Sequence, residues 1–250
     1  MPDTMSLIVL FVAALWAGWQ NALAGGGSFL TLPALMFTGM DALAANITSS
    51  VALFPSQVTT GIHGWKRSSG AAGLTRGWLV GISLVGGALG AVLLLLTPSA
   101  IFARMVPWLV LFATGMFAWG SFGPKRADGG ARLKAGGAAA AQFGIAVYGG
   151  YFGGGIGFLM LAALTAANLA IRPAAATKNV LAAVMNLSAV LIFVFSPQVH
   201  WPQMAIACAG ALIGGLVGAH MLARVNEKLL RLFIVAIGIV LTIGLFLRAP

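Results

Sequence analysis

The sequence predicts an all-α polytopic membrane protein with two inverted repeats, each of about five helical segments with a broken or re-entrant helix at a glycine-rich motif. Three observations predict this fold. Hydrophobic residues make up 60% of the 250-residue chain and charged residues only 7%, a composition typical of membrane proteins. Apolar runs recur along the chain at about the 20-residue length that a membrane span needs. Two triple-glycine clusters interrupt these runs 128 residues apart, beginning at Gly25 and at Gly153.

Ten apolar segments follow from the positions of glycine, proline and charged residues. In the first repeat, residues 1–122, the segments are 6–24, 26–39, 44–63, 77–96 and 104–122. In the second repeat, residues 136–250, they are 136–152, 154–169, 175–196, 203–223 and 229–247. Residues 123–135 form the one long polar stretch between the repeats and are predicted to be a cytoplasmic linker.

The two glycine clusters are predicted to break helices, because each glycine costs about 1 kcal/mol relative to alanine inside a helix. A membrane protein tolerates such breaks only where the bare backbone faces protein or a water-filled cavity. Paired breaks in two halves of a chain indicate a transporter's binding site. The segments 26–39 and 154–169 are short for a span. We therefore expect re-entrant hairpins, or helices that end near the middle of the membrane, with the two clusters approaching each other.

Further landmarks recur between the halves. Residues 86–91 (GGALGA) match residues 214–219 (GGLVGA), again 128 residues apart, and residues 44–48 resemble residues 175–179. Small residues at this spacing allow two helices to cross closely. We interpret the glycines at 86, 90, 214 and 218 as such crossing residues and not as binding residues.

The net charge of +10 is interpreted as a signal of topology, because basic residues collect in cytoplasmic connections. Placing residues 63–76, 123–135, 172–178 and 223–231 inside collects 12 of the 14 lysines and arginines. Both termini then lie outside, in a bacterial inner membrane. A connection that carries basic residues in one half has an equivalent with few or none in the other half. This reversal is expected if each half crosses the membrane an odd number of times, because equivalent connections then lie on opposite sides. We expect the lipid bilayer as a partner and no nucleic acid.

A helix that starts after a break presents free N–H groups and the positive end of its dipole, which suits an anion. We therefore expect a small anionic substrate at the clusters and at the polar residues near them. The alternatives are close packing for the glycines, interhelical hydrogen bonds for the buried amides, and an interfacial cation for the lysine. The candidate substrate-binding residues are Gln20, Asn21, Gly25, Gly26, Gly27, Ser28, Asn46, Thr48, Ser49, Gln57, Tyr151, Gly153, Gly154, Gly155, Thr177, Lys178, Asn179 and Asn186.

The acidic residues are informative by their positions. Asp3, Asp41, Asp128 and Glu227 all fall in terminal or connecting stretches, so no predicted span contains a carboxylate. A cation pathway or a carboxylate proton relay would need such groups inside the membrane. We expect no metal site, no cofactor and no catalytic residue.

Residues 17–57 and 149–186 carry a resemblance to a known family. The pattern is similar to that of the sulfite exporter TauE/SafE family, also called TSUP, and the resemblance covers essentially the full chain. It implies a membrane transporter of sulfite, sulfonates or other small organic or sulfur-containing anions. One departure is that no proline after the second cluster corresponds to Pro33. The residues that carry the resemblance are Gly18, Gly25, Gly26, Gly27, Pro33, Ala45 and Ser49 in the first half and Gly149, Gly150, Gly153, Gly154, Gly155, Ala176 and Thr177 in the second.

Two other functions compete with anion export. A membrane-embedded scaffold or assembly protein would need no paired helix breaks. An intramembrane hydrolase could use Ser28 with His63, but the sequence has neither a G-x-S-x-G elbow around this serine nor an orienting acid. We therefore expect a transporter and not an enzyme.

The topology can be tested by cysteine accessibility in a Cys208→Ala background. Single cysteines at positions 68 and 128 should react only from the cytoplasmic side, and those at 41 and 199 only from outside, because the positive-inside rule places these connections so. Labelling of 68 and 199 from the same side would exclude an inverted repeat.

Overall fold

A computed structural model describes residues 3–23, 26–122, 133–221 and 227–248. Gly25 and most of the expected linker lie outside the described residues. Within them the chain is all-α, as predicted, with ten helices and no strand. The helices are α1 (Thr4–Leu23), α2 (Ser28–Phe37), α3 (Ala42–Trp65), α4 (Arg76–Leu96), α5 (Ser99–Phe122), α6 (Ala135–Tyr151), α7 (Ile156–Ala166), α8 (Ile171–Phe193), α9 (Trp201–Met221) and α10 (Glu227–Arg248).

The helices have the lengths and compositions of a multi-pass membrane protein. In the described part of the chain, five contain a stretch long and apolar enough to cross a bilayer, in α1, α4, α5, α8 and α9. The short second segment of each half is confirmed, since α2 has 10 residues and α7 has 11. At about 1.5 Å per residue, each covers roughly half of a 30 Å hydrocarbon core.

Two helices start four or five residues earlier than the sequence predicts. Helix α5 begins at Ser99, so Arg104 lies inside a helix, and α8 begins at Ile171, so Arg172 is helical. Pro173 is compatible with the first turn of α8, because the amide that proline lacks has no intrahelical acceptor there. Helix starts predicted from proline and charge are therefore a few residues too late here.

Close crossings between the halves depend on glycine. Helix α1 packs along α9, where a β-carbon on Gly214 would overlap the Leu15 carbonyl oxygen. Helix α4 packs along α6, where a β-carbon on Gly86 would lie 2.6 Å from the Ala146 β-carbon. A β-carbon on Gly90 would overlap the backbone of α6 in the same way. The interpretation of these three glycines as crossing residues is confirmed.

The same contacts give the relative directions of the helices. Helices α1 and α9 are parallel, because Gly210 lies beside Phe11 and Gly214 beside Leu15. Helices α3 and α8 are antiparallel. The evidence is that a β-carbon on Gly61 would lie 2.8 Å from that of Ala183, whereas one on Gly64 would lie 2.8 Å from the carbonyl oxygen of Ala176.

In the two halves, α1 corresponds to α6, α4 to α9 and α3 to α8. The α1–α9 pair is therefore equivalent to the α6–α4 pair. An inverted repeat requires equivalent helices to run in opposite directions, as α3 and α8 do, whereas a parallel repeat would make them parallel. The orientation of the two halves across a bilayer stays a prediction.

The crossing at Gly214 can be tested against a matched glycine. Gly214→Ala should lower the free energy of unfolding by about 1–3 kcal/mol, because the new methyl group forces α1 and α9 apart. Gly115→Ala on α5, where nothing lies within 4 Å of the added carbon, should be neutral or stabilising by up to about 1 kcal/mol. The measurement is unfolding of the detergent-solubilised protein. Equal stability of the two variants would contradict the close crossing.

Candidate functional site

The first break separates α1, which ends at Leu23, from α2, which begins at Ser28. Gly26 has a φ of +86°, in the left-handed region that side chains other than glycine rarely adopt. A β-carbon on Gly27 would lie 2.9 Å from the Ala17 carbonyl oxygen. The chain therefore turns back tightly along α1, and glycine is needed at both positions.

Buried side chains bind the carbonyl groups of the first break. The Gln20 amide donates to the Gly26 carbonyl oxygen at 3.3 Å, and the Thr31 hydroxyl donates to the Gly27 carbonyl oxygen at 3.4 Å. The Thr31 hydroxyl also lies 2.6 Å from the Ser49 hydroxyl. These bonds tie the break to α3 and satisfy backbone groups that a bilayer cannot. Thr31 is absent from the predicted site. Its position as the one polar residue between Ser28 and Phe37 could have indicated that its hydroxyl group binds a partner inside the bundle.

The second break separates α6, which ends at Tyr151, from α7, which begins at Ile156. Gly153 and Gly155 have φ angles of +78° and +73°, so both adopt the left-handed conformation. A β-carbon on Gly154 would lie 2.6 Å from the buried Phe152 ring. Two glycines of this cluster are thus needed for their conformation, and a side chain at the third, Gly154, would have to displace the Phe152 ring.

The two breaks lie against each other. A β-carbon on Gly153 would lie 3.9 Å from the Ser28 hydroxyl oxygen. The Asn46 amide of the first half donates to the Tyr151 carbonyl oxygen of the second at 3.1 Å. Leu30 of α2 packs against a buried cluster of Ala17, Leu53 and Ala211, and Leu53 lies halfway along α3. The start of α2 is therefore deep inside the helix bundle.

Both helices that follow a break start without a side-chain cap. The N-cap residues are Gly27 for α2 and Gly155 for α7, and neither start receives a side-chain hydrogen bond. The earliest backbone bonds run from the Phe29 amide to Gly26 and from the Phe158 amide to Gly155, at 3.0 and 3.1 Å. The first N–H groups of a helix have no intrahelical acceptor. Two helix starts with positive dipole ends therefore lie deep in the bundle, where the two breaks meet.

Comparison with known proteins now identifies the family. The sequence matches the family model described as Sulfite exporter TauE/SafE over residues 10–245. The chain belongs to the sulfite exporter TauE/SafE family. The resemblance carried by the glycine clusters is confirmed, and it extends over nearly the whole chain.

Relatives of this TauE/SafE protein are similar over most of their length. A probable membrane transporter protein of Haemophilus influenzae is 30% identical over 244 residues, covering 94% of this chain and 92% of the relative. The probable membrane transporter protein YfcA of Escherichia coli K12 is 28% identical over 250 residues, with coverages of 97% and 90%. The probable membrane transporter protein ORF9 of a Sinorhizobium species is 29% identical, with coverages of 96% and 92%. No solved structure matches the chain.

Thr48 and Thr177 of this TauE/SafE protein bind loops of the opposite half. The Thr48 hydroxyl donates to the Gln198 carbonyl oxygen at 3.4 Å and accepts from the His200 amide at 3.2 Å. The Thr177 hydroxyl accepts from the Ser69 amide at 3.0 Å and donates to its carbonyl oxygen at 3.2 Å. We call these two sets of bonds the threonine latches. Because α3 and α8 are antiparallel, the latches lie at opposite ends of this helix pair.

Four other predicted residues have no described contact with either break. The Asn186 amide donates to the Ala182 carbonyl oxygen of its own helix at 3.0 Å, and Asn179 lies at the α3–α8 crossing beside Gly61. In the part of the chain that the structure describes, the buried side-chain amide oxygen (Oε1) of Gln57 lacks a hydrogen-bond partner. Lys178 is half-buried, and its ammonium group has no described ion pair or hydrogen bond. Asn21, by contrast, lies at the first break, with its β-carbon 3.4 Å from a β-carbon placed on Gly27.

The Ser28–His63 pair of the hydrolase hypothesis is not formed. His63 lies in the exposed last turn of α3, where its ring contacts the Thr59 carbonyl oxygen at 2.8 Å. Ser28 lies near the level of Leu53, about 15 Å away along α3 at 1.5 Å per residue. Among the described residues, no group of three or more His, Cys, Asp or Glu side chains could hold a metal ion.

Proposed function

We propose that this TauE/SafE protein exports a small anion, such as sulfite or a sulfonate, and binds it between the two breaks. The observation that supports the proposal is the proximity of Ser28, the first residue of α2, to Gly153 of the second break, together with the lack of a side-chain cap at the starts of α2 and α7. Membrane transporters with discontinuous helices bind substrates at such half-helix starts near the bilayer midplane.

The physical basis is the electrostatics of helix ends. Each helix start carries about half an elementary positive charge, together with N–H groups that can donate to an oxyanion. Together, two helix starts carry about one elementary positive charge without a lysine or arginine side chain. A site of this kind offsets part of the desolvation of an anion. It also avoids the strong binding to a buried lysine or arginine that would slow release.

The positions of the carboxylates favour an anion over a cation. Among the described residues, Asp3 and Asp41 precede helices and Glu227 is the first residue of α10. The Asp41 carboxylate caps α3 by accepting from the amides of Leu43 and Ala44 at 2.9 and 3.1 Å. No described carboxylate lies at the breaks, whereas cation pathways commonly use acidic side chains.

The membrane potential supplies a driving force for export. A potential that is negative inside contributes about 2.3 kcal/mol per charge per 100 mV, or roughly a fortyfold concentration ratio for a monoanion. We therefore propose electrogenic movement without proton coupling. The threonine latches would open one at a time, and so expose the breaks to one side and then the other. Spin-label distances across both latches that stay constant during transport would contradict this alternation.

The role of the second break can be tested with Gly154→Val. The added side chain meets the Phe152 ring and closes the space at the start of α7, so sulfite efflux from proteoliposomes should fall at least about tenfold while the protein stays folded and inserted. Gly144→Val is the matched control, because nothing lies within 4 Å of a β-carbon at this position of α6. Normal efflux by a folded Gly154→Val protein would mean that the cluster serves only packing.

The coupling can be tested with an imposed potassium-diffusion potential. Sulfite or sulfonate efflux should speed up when the interior is made negative, since the moving species carries net negative charge. Protein-free liposomes with the same load are the control. Efflux that ignores the potential and follows an imposed pH gradient would overturn the uncoupled mechanism.

A further inference from the structure

A groove of about 620 Å³ lies between α3 and α8, and none of its lining residues belongs to the two breaks. Apolar side chains form its walls, and they belong to both halves of the protein. The groove opens to the outside of the bundle, since Ile62 is 68% and Leu187 39% exposed. The wall residues are Phe54, Val58, Ile62, Val180, Val184 and Leu187.

The groove exists because its floor is a close helix crossing. A β-carbon on Gly61 would lie 2.8 Å from the Ala183 β-carbon, so the two backbones nearly touch there. The larger side chains on either side stand above this floor as walls. A larger side chain on the floor would fill the groove, and its present residues, Gly61 and Ala183, are of the two smallest types.

One end of the groove carries positive charge. Trp65 and Lys66 line this end, and both are exposed. The Arg76 guanidinium lies 4.1 Å above the Trp65 ring and donates to the Trp65 carbonyl oxygen at 3.1 Å. In the described part of the chain no acidic residue pairs with Lys66. A tryptophan beside lysine and arginine is typical of the membrane–water interface.

The opposite end of the α3–α8 pair has no such charge. Thr48 and Thr177, which form the threonine latches, occupy equivalent positions in the two halves and are 129 residues apart in the sequence. At the same separation, Val194 corresponds to Trp65 and Phe195 to Lys66. The repeat therefore places a tryptophan and a lysine at only one of these two equivalent positions.

The length of the groove matches one leaflet of a bilayer. From Phe54 to Lys66 along α3 is about 18 Å at 1.5 Å per residue. Half of the hydrocarbon core of a bilayer is about 15 Å thick. An occupant with an apolar chain of this length and a negative group at the interface would match both the walls and the charged end.

We propose that the α3–α8 groove binds an anionic phospholipid, with one acyl chain along the groove and the phosphate group against Lys66. Basic pockets between membrane helices bind anionic headgroups in this manner. The site is independent of the proposed transport function. A lipid bound here contacts both halves, because α3 belongs to the first and α8 to the second.

The test is native mass spectrometry of the delipidated full-length protein, with phosphatidylglycerol and phosphatidylcholine of identical acyl chains added in turn. The wild-type protein should retain phosphatidylglycerol about fivefold better. Lys66→Gln should abolish this preference, since one cation near an anionic headgroup contributes about that factor. Lys134→Gln is the matched control, because it removes an exposed cation from a position outside the groove.

Val184→Trp tests the apolar walls, because an indole ring would fill the groove, and it should reduce the retention of both lipids. Three results would each overturn the proposal: equal retention of the two lipids by the wild-type protein, equal losses in Lys66→Gln and Lys134→Gln, or unchanged retention in Val184→Trp. A change of oligomeric state in Val184→Trp without a change in lipid retention would instead assign the groove to a second copy of the chain. Lys66 is exposed at a helix end, so its substitution decides the proposal even if Val184→Trp fails to fold.

Discussion

The hydrocarbon core of a bilayer offers no water to a bare peptide group, and this protein has two helices that stop inside its bundle. Every backbone group at such an interruption must find a partner within the protein or in a ligand. Here Gln20, Thr31 and Asn46 supply partners for carbonyl groups at or beside the breaks. The amides at the two helix starts receive no side-chain cap. At the breaks, side chains thus donate to carbonyl groups, whereas no side chain accepts from the amides at the starts of α2 and α7. That asymmetry is the reason for assigning the ligand a negative charge.

The sequence predicted the helices and the breaks because both depend on local signals. Apolar runs and glycine clusters mark where helices form and stop, so ten segments and the short α2 and α7 could be predicted. Polar contacts between helices have no such signal. The bond from Thr31 to Ser49 and the two threonine latches depend on which helix faces which, and hydrophobic periodicity does not determine that in a bundle that is apolar on most faces. Nearness in sequence predicts that Thr48 and Thr177 lie with the breaks. Their hydroxyl groups instead bind loops of the opposite half.

Membership of the TauE/SafE family and the arrangement of the breaks support two different conclusions, the first about transport and the second about the charge of the substrate. The family and the relatives indicate a membrane transporter. The charge of the substrate is inferred from the helix starts. A site built mainly from backbone amides recognises an oxyanion by charge and size, since it has few side chains that could distinguish the remainder of the molecule. Close glycine crossings, such as Gly214 on Leu15, hold the two halves together around this site.

The position of a bound oxyanion tests most directly whether an anion binds between the two breaks. Selenite is a sulfite analogue whose selenium atom can be located by anomalous scattering in crystals of the full-length protein. We expect one strong selenium peak between the two breaks, with its oxygens at hydrogen-bonding distance, about 3 Å, from the amides at the starts of α2 and α7. The peak should be lost in Gly154→Val crystals. A peak at another site, with the space between Ser28 and Gly153 filled only by protein side chains, would contradict the account.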